Sequence, residues 1–245
     1  MKLFLCGDVM TGRGIDQILP APCDPELDEP WVKSALDYVR LAERGGATIP
    51  RDASPEYIWG DALAELERAQ PDARIVNLET AVTLSNERAP KGINYRMSPA
   101  NAACLTAARI DCCVLANNHV LDWGVPGLEE TLDTLQRLGI RTVGAGRHAA
   151  EAAAPAIMNL SQDRRVLMYA LGMRSAGVQE DWAAAPGRPG VAFPPFAPGC
   201  VGSGARRADS GWDSVIARRP PCSAASSAFF SLASSASLAS SALRS

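Results

Sequence analysis

Short apolar runs recur along the first half of the chain, and each is followed at once by a polar loop. The runs cover residues 2–6, 73–76 and 112–116, and each has the length of a buried β-strand. The loops behind them read Gly7-Asp8-Val9-Met10, Asn77-Leu78-Glu79-Thr80 and Asn117-Asn118-His119. The pattern predicts buried strands that end in turns carrying polar side chains.

Segments with helical periodicity lie between and after these strands. They are predicted at residues 31–44, 55–69, 99–108 and 125–138. In the last segment the apolar residues follow a helical period and form one stripe: Leu128, Leu132, Leu135 and Leu138. Further short strands are predicted at residues 141–143, 156–160 and 165–171. Such alternation is typical of an α/β fold with a mostly parallel sheet flanked by helices.

The pattern changes after about residue 186. Residues 186–198 are rich in proline and glycine, and residues 223–245 consist almost wholly of serine, alanine and leucine. A segment of that composition buries too little apolar surface to fold, so disorder is expected there. We therefore predict a folded domain over residues 1–195 and a low-complexity tail over residues 196–245.

The polar loops place four candidate metal-site residues at strand ends. In an open α/β sheet, ligands bind just beyond the carboxyl ends of the strands. Asp8, Glu79, Asn118 and His119 are therefore expected to converge, although they are far apart in the chain. Two carboxylates, an amide oxygen and an imidazole are what a hard or borderline metal ion recruits.

Each of these residues also has a purely structural interpretation. Asp8 and Asn118 are common turn residues, and Glu79 could be an acid favoured by a helix dipole. A histidine such as His119 is often a structural side chain. Their joint occurrence at matching strand ends favours the functional interpretation.

Three further residues are candidates for contacts with substrate. The guanidinium groups of Arg13 and Arg96 could each bind a phosphate or carboxylate through two hydrogen bonds. Asp122 is as suited to orienting its loop as to touching substrate. His148 and the Cys112-Cys113 pair are expected to be structural.

The composition of the chain limits the classes of partner and the cellular compartment that we expect. The 245 residues carry a net charge of −3, so no basic field favours nucleic acid. No apolar stretch resembles a signal peptide or a membrane span, and the seven cysteines show neither metal-type spacing nor a disulfide framework. We therefore expect a cytoplasmic protein that acts on a small molecule or an anionic polymer.

Five ordered motifs resemble the capsule-synthesis CapA family, which is linked to poly-γ-glutamate synthesis and export. They are Gly7 to Arg13, Tyr57 to Asp61, Val76 to Thr80, Lys91 to Met97, and Ala116 to Gly124. The match extends through Gly144-Ala145-Gly146-Arg147 and covers roughly residues 1–195. The family is similar to the calcineurin-like metallophosphoesterases.

The resemblance implies a four-layer α/β/β/α sandwich with a two-metal centre. It implies that Asp8, Glu79 and Asn118 are metal ligands for divalent ions such as Mn, Fe, Zn or Mg. His119 would then protonate a leaving group or stabilise a developing charge. Two metals in such a centre activate a water and stabilise the attacking and leaving oxygens.

The sequence departs from the family pattern in two places. The first loop reads Asp8-Val9-Met10 where the wider superfamily has Asp-x-His, and the chain has only two histidines, His119 and His148. The later histidine-bearing motifs are absent, so we expect an incomplete binuclear site with weak activity or none. Residues 202–245 look foreign to the fold, which suggests an out-of-frame or truncated C-terminus, an exposed sheet edge and marginal stability.

Three functions remain open on the sequence alone. The first is a CapA-like protein with a metallophosphoesterase-type site, acting as a metal-dependent hydrolase where it is active. The second is a non-catalytic module that binds a carboxylate polymer through Arg13 and Arg96. The third is a truncated product with no function of its own.

Overall fold

A computed structural model describes residues 1–161 and 164–194. Residues Met1–Pro194 form one structural unit. Its strands are β1 Leu3–Val9, β2 Ala73–Leu78, β3 Ala81–Val82, β4 Arg96–Met97, β5 Cys112–Val114, β6 Arg141–Val143, β7 Ala145–Gly146, β8 Ala156–Asn159, β9 Arg165–Met168 and β10 Gly190–Val191. Its α-helices are α1 Gly14–Ile18, α2 Leu36–Arg44, α3 Ala62–Ala69, α4 Ala103–Ala107, α5 Gly124–Arg137 and α6 Ala149–Ala153. Single 3₁₀ turns lie at Tyr57–Trp59, Pro99–Asn101, Arg174–Ala176 and Glu180–Trp182.

The main sheet has four strands in the order β1-β2-β5-β6. All of its neighbouring strands pair in parallel. Because parallel strands point the same way, the loops after β1, β2 and β5 leave the sheet at one edge. The expected α/β class with a parallel sheet is thereby confirmed.

A register shift interrupts the pairing of β1 with β2. Cys6 pairs with Val76, but the next pair is Asp8 with Asn77, so Gly7 is an extra residue in β1. A bulge of this kind turns the following side chains relative to the pleat. It sets Asp8 beside Asn77 at the end of the sheet.

Two apolar clusters cover the two faces of the sheet. The larger one joins Val76 and Leu78 of β2 to Leu105 of α4 and to the apolar stripe of α5. The smaller one joins Ala73 and Ile75 to residues of the antiparallel β8–β9 hairpin. Alternate residues of β2 thus face opposite layers, as the two-residue period of a strand requires. The described residues form a helix layer, the sheet and a hairpin layer, and the complete four-layer sandwich stays a prediction.

The prediction that the first strand is buried is wrong. Within the described residues β1 pairs with β2 and lies at an edge of the sheet. Leu5 is 63% exposed and Cys6 is exposed as well. An apolar run has the same composition in a central strand and in an edge strand, so the sequence gives no signal for the difference.

Several predicted elements are shorter than expected. The helix predicted from residue 31 begins at Leu36. The helix predicted over 55–69 is divided by Gly60, which has a φ of 50° and separates a 3₁₀ turn from α3. Positive φ is readily adopted by glycine and stops a right-handed helix. The strand predicted over 165–171 ends at Met168.

The predicted tail, residues 196–245, lies outside the described residues, as does the expectation that it is disordered or out of frame. The boundary near residue 195 therefore stays a prediction. None of the helices in the described ranges is both long and apolar enough to cross a lipid bilayer.

The core can be tested with two leucines that both lie in helices. Leu105 of α4 is fully buried, whereas Leu41 of α2 is 52% exposed. Leu105→Ala leaves a cavity and is expected to lower the free energy of unfolding by about 2–5 kcal/mol. Leu41→Ala is expected to change it by less than about 0.5 kcal/mol. Urea unfolding with an unchanged m-value measures both, and equal effects would contradict the assignment of the core.

Candidate functional site

Hydrogen bonds between side chains connect the ends of three neighbouring strands. Asn77 Nδ2 donates to Asp8 Oδ1 at 2.6 Å. Asn117 Nδ2 donates to Asn77 Oδ1 at 3.0 Å and to the carbonyl of Leu78 at 2.9 Å. Asn117 Oδ1 in turn accepts from the backbone N–H of His119 at 3.0 Å. The three loops are therefore held in one arrangement, and the predicted convergence of Asp8 with the 117–119 loop is observed.

Glu79 lies between the Asp8 loop and His119. Its backbone N–H donates to the carbonyl of Val9 at 3.0 Å, and its Oε1 lies 3.5 Å from His119 Nε2. Burial raises the pKa of the Glu79 carboxyl above its ordinary value, and the Asp8 carboxylate raises it further. The positive charge of Lys91, and that of His119 when its ring is protonated, oppose that increase. Two carboxylates thus repel each other in a partly desolvated site.

His119 is a buried imidazole with contacts on its edge and on its face. Its Nδ1 lies 2.7 Å from Asp122 Oδ2, and its ring stacks on Tyr95 with centroids 4.0 Å apart and an interplanar angle of 23°. Since Nδ1 faces Asp122, the other nitrogen, Nε2, is directed at Glu79.

Asp122 is a fully buried carboxylate, and both of its oxygens have partners. Oδ1 accepts from Lys91 Nζ at 2.6 Å, and Oδ2 accepts from the backbone N–H of Tyr95 at 2.6 Å in addition to facing His119. The backbone carbonyl of Asp122 accepts from the N–H of Ala89 at 2.8 Å. Asp122 therefore connects the 89–95 loop to the histidine loop, and its contact with substrate as a catalytic residue stays a prediction.

Asn118 contributes its backbone as well as its side chain to this region. Its carbonyl accepts a hydrogen bond from Lys91 Nζ. Its side chain packs beside Gly177, a residue with a φ of 76° that follows the 3₁₀ turn at Arg174–Ala176. The role of the Asn118 amide as a metal ligand stays a prediction.

Arg13 already has partners of its own. Its guanidinium forms an ion pair with Glu29 and donates to the Tyr38 hydroxyl at 2.9 Å. It also lies 4.7 Å from the centroid of the Tyr95 ring. In this arrangement Arg13 supports the residue on which His119 stacks, and its predicted contact with substrate stays untested.

Arg96 is engaged in a similar way. Its guanidinium lies 3.9 Å over the Trp123 ring and donates to the carbonyl of Ser85 at 3.1 Å. Arg13 and Arg96 line a gap of about 20 Å³, which has room for about one water. The structure brings the two arginines together there.

The side chains present fit a divalent cation in charge and in donor type. The repulsion between the Asp8 and Glu79 carboxylates would be relieved by a cation between them. Within residues 1–161 and 164–194, however, no three His, Cys, Asp or Glu side chains form a ready metal cluster. The amide of Asn118 is a candidate for a further, neutral donor. The binuclear centre implied by the resemblance stays a prediction.

The second histidine has a structural place. His148 precedes α6, and its Nδ1 accepts from the backbone N–H of Glu151 at 3.3 Å. It caps that helix, in agreement with the structural role expected for it.

Sequence reasoning missed the roles of Asn77, Asn117, Lys91 and Tyr95. Asn77 and Asn117 stand beside the predicted ligands in the same loops, so their position was a usable signal. Lys91 and Tyr95 lie in a separate loop, and no spacing in the chain relates them to Asp122. Their role becomes visible only through the contacts of the folded chain.

The buried ion pair can be compared with an exposed one. Asp122→Ala leaves Lys91 and the Tyr95 N–H without their acceptor and is expected to lower the free energy of unfolding by about 3–5 kcal/mol. Asp37 pairs with Arg40 on the surface at 2.7 Å, so Asp37→Ala is expected to cost no more than about 1 kcal/mol. Chemical denaturation of both variants measures this difference. A surface-like effect at Asp122 would rule out the anchoring role.

Comparisons with known proteins agree with the motifs. A family model described as bacterial capsule synthesis protein PGA_cap matches residues 2–209. A probable polyglutamine synthesis accessory protein of Mycobacterium tuberculosis (strain CDC 1551 / Oshkosh) is 46% identical over 192 residues, which cover 78% of this chain and 50% of the relative. Its counterpart in strain H37Rv gives the same values.

A more distant relative is an uncharacterised protein of Sinorhizobium fredii. It is 34% identical over 142 residues, which cover 55% of this chain and 31% of the relative. The chain spans about half the length of the mycobacterial relatives that it matches. The resemblance that the motifs indicate is confirmed, and the chain belongs to the bacterial capsule synthesis family PGA_cap.

Proposed function

We propose that this protein is an accessory factor of polyglutamate or capsule synthesis and that it acts by metal-assisted hydrolysis of a phosphoester or a related bond. The biological setting is supported by the family and by the names of the mycobacterial relatives. The chemistry is supported chiefly by the position of Glu79, which lies 3.5 Å from His119 Nε2. Burial and the nearby Asp8 carboxylate raise the pKa of the Glu79 carboxyl.

Asp8 and Glu79 are the residues that would hold the ion. They approach it from the ends of adjacent strands, and the Asn77 amide keeps one Asp8 oxygen in place at 2.6 Å. When bound, a divalent metal lowers the pKa of a coordinated water and polarises the oxygen of the bond to be broken. Asn118 is the candidate neutral donor, since an amide oxygen adds no further charge to two carboxylates.

His119 would act on the proton of the leaving group. Its Nε2 is directed toward Glu79 at 3.5 Å, so this nitrogen belongs to the same site as the carboxylates. From that position the protonated imidazole can donate to a leaving oxygen, or the ring can stabilise charge that develops there. Burial of the ring strengthens any such interaction because little water screens it.

A cleft beside this site provides space for a substrate. It has a volume of about 370 Å³ and is lined by Leu121, Gly124, Trp182, Arg88 and Arg188 among others. Neither Glu79 nor His119 lines this cleft. The Trp182 ring lies 5.4 Å from Lys91 Nζ, so Trp182 connects the cleft to the lysine that pairs with Asp122. This volume is at the lower end of the range typical of small-molecule sites.

The proposal is tested by metal binding and hydrolysis with one matched pair of variants. Isothermal titration of the metal-free protein with Mn²⁺ or Zn²⁺ is expected to show binding. Loss of a residue behind a metal ligand typically lowers metal affinity by about 10–100-fold, and Asp8→Ala is expected to lower it by more. Hydrolysis of an aryl phosphate is expected to be slow, metal-dependent and lost in the same variant. Asp24 is an exposed carboxylate that accepts from the N–H of Glu26, and Asp24→Ala is expected to leave both properties unchanged.

Three results would decide against the proposal or correct it. Equal metal affinity in Asp8→Ala and the parent chain would remove Asp8 from the site. Salt-sensitive binding of poly-γ-glutamate, without bound metal or turnover, would replace the hydrolase with the non-catalytic binding module. Two tightly held metals with rapid turnover would overturn the expectation of a weak, incomplete site.

A further inference from the structure

We propose that Lys91 and Tyr95 are positioning residues that fix the orientation and the tautomer of His119 through Asp122. The role of this arrangement in catalysis rests on the proposed function, because His119 belongs to the same site. The contacts themselves, and the measurement that tests them, do not depend on a bound metal or on turnover.

The tautomer follows from the inventory of donors and acceptors around Asp122. An ionised carboxylate only accepts hydrogen bonds, so the His119 nitrogen that faces Asp122 Oδ2 at 2.7 Å has to carry a proton. The same Oδ2 accepts from the Tyr95 N–H at 2.6 Å. In the neutral ring the proton therefore sits on Nδ1, and Nε2 keeps its lone pair toward Glu79.

Lys91 holds the second oxygen of Asp122. Its ammonium group lies 2.6 Å from Asp122 Oδ1 and donates to the carbonyl of Asn118. It also lies 3.3 Å from His119 Nδ1. An ammonium only donates, so this contact taken alone would also suit an unprotonated Nδ1. The shorter contact, between Nδ1 and Asp122 Oδ2 at 2.7 Å, is the one that assigns the proton to Nδ1.

Tyr95 fixes the plane of the ring. Its side chain stacks on His119 at 4.0 Å, while its backbone N–H anchors Asp122 Oδ2. Its own position is held by Trp123 Nε1, which donates to the Tyr95 carbonyl at 3.1 Å, and by the guanidinium of Arg13. One residue thus restrains both the face of the imidazole and the acceptor at its edge.

The two histidines of the chain provide an internal control. His148 Nδ1 accepts from the Glu151 N–H, so a neutral His148 has its proton on Nε2, opposite to the arrangement at His119. Long-range ¹H–¹⁵N spectra of histidine-labelled, metal-free protein at about pH 8, above the ordinary imidazole pKa, distinguish the two tautomers. The expected result is one ring protonated on Nδ1 and one on Nε2. Protonation of His119 on Nε2 in the parent protein would overturn the proposal.

Variants test the contribution of each positioning residue. Lys91→Met and Tyr95→Leu are expected to convert the His119 signals from a single tautomer to a mixture, whereas Tyr95→Phe keeps the stack and the parent spectrum. Lys91→Arg restores the charge and is expected to recover at least part of the single-tautomer signal. Lys33 is exposed, and Lys33→Met serves as the matched control with no change.

The backbone amide spectrum shows whether each variant is folded. If Lys91→Met does not fold, the Tyr95→Leu and Tyr95→Phe pair decides the question together with the parent spectrum. An unchanged single tautomer in folded Lys91→Met and Tyr95→Leu would show that Asp122 alone sets the ring, and the proposal would fail.

Activity supplies a separate readout. If the protein hydrolyses aryl phosphates, Lys91→Met is expected to lower kcat by about 10–100-fold with little change in KM, as is typical when a residue behind a reacting group is removed. If no metal binds and nothing is hydrolysed, the proposed function fails, while the tautomer measurement still stands. A normal kcat in a Lys91→Met variant with mixed tautomers would overturn the positioning role.

Discussion

Burial of the Asp122 carboxylate is the constraint on which the site depends. An ion placed where no water reaches it has to be compensated on both oxygens, or the chain does not fold around it. Here the compensation comes from Lys91, Tyr95 and His119. Two loops that are distant in sequence are therefore joined at one point. The electrostatic requirement of the fold and the geometry needed for proton transfer are met by the same contacts.

The second requirement is that side chains from distant segments meet in one place, and the sheet provides this. Parallel strands deliver Asp8, Asn77 and Asn117 to one edge, and the amides form a hydrogen-bonded row between them. The extra residue at Gly7 sets Asp8 opposite Asn77, where the two side chains form their hydrogen bond. Backbone irregularity of this kind is common beside functional sites because it redirects one side chain without altering the rest of the sheet.

The sequence predicted those features that local patterns encode. Apolar runs and the turn residues behind them located the strands and the loops of Asp8, Glu79 and His119. The same run gave no sign that β1 is an edge strand, because edge and centre differ in their neighbours and not in their own residues. The bulge at Gly7 was equally hidden, since it exists only relative to β2. The pairing of Lys91 with Asp122 depends on how two distant loops pack, which no periodicity records.

The pairing of β1 with β2 also has a consequence for the order in which the chain folds. Leu3 of β1 pairs with Ala73 of β2. The long segment between them has to close into a loop before the two strands can pair, and such non-local pairing is slow. During synthesis on a ribosome, Asp8 emerges first, Glu79 follows, and His119 and Asp122 emerge later. The contacts between these residues can form only after the last of them has emerged. A nascent chain therefore lacks the contacts between these loops until the segment with Asp122 has left the ribosome.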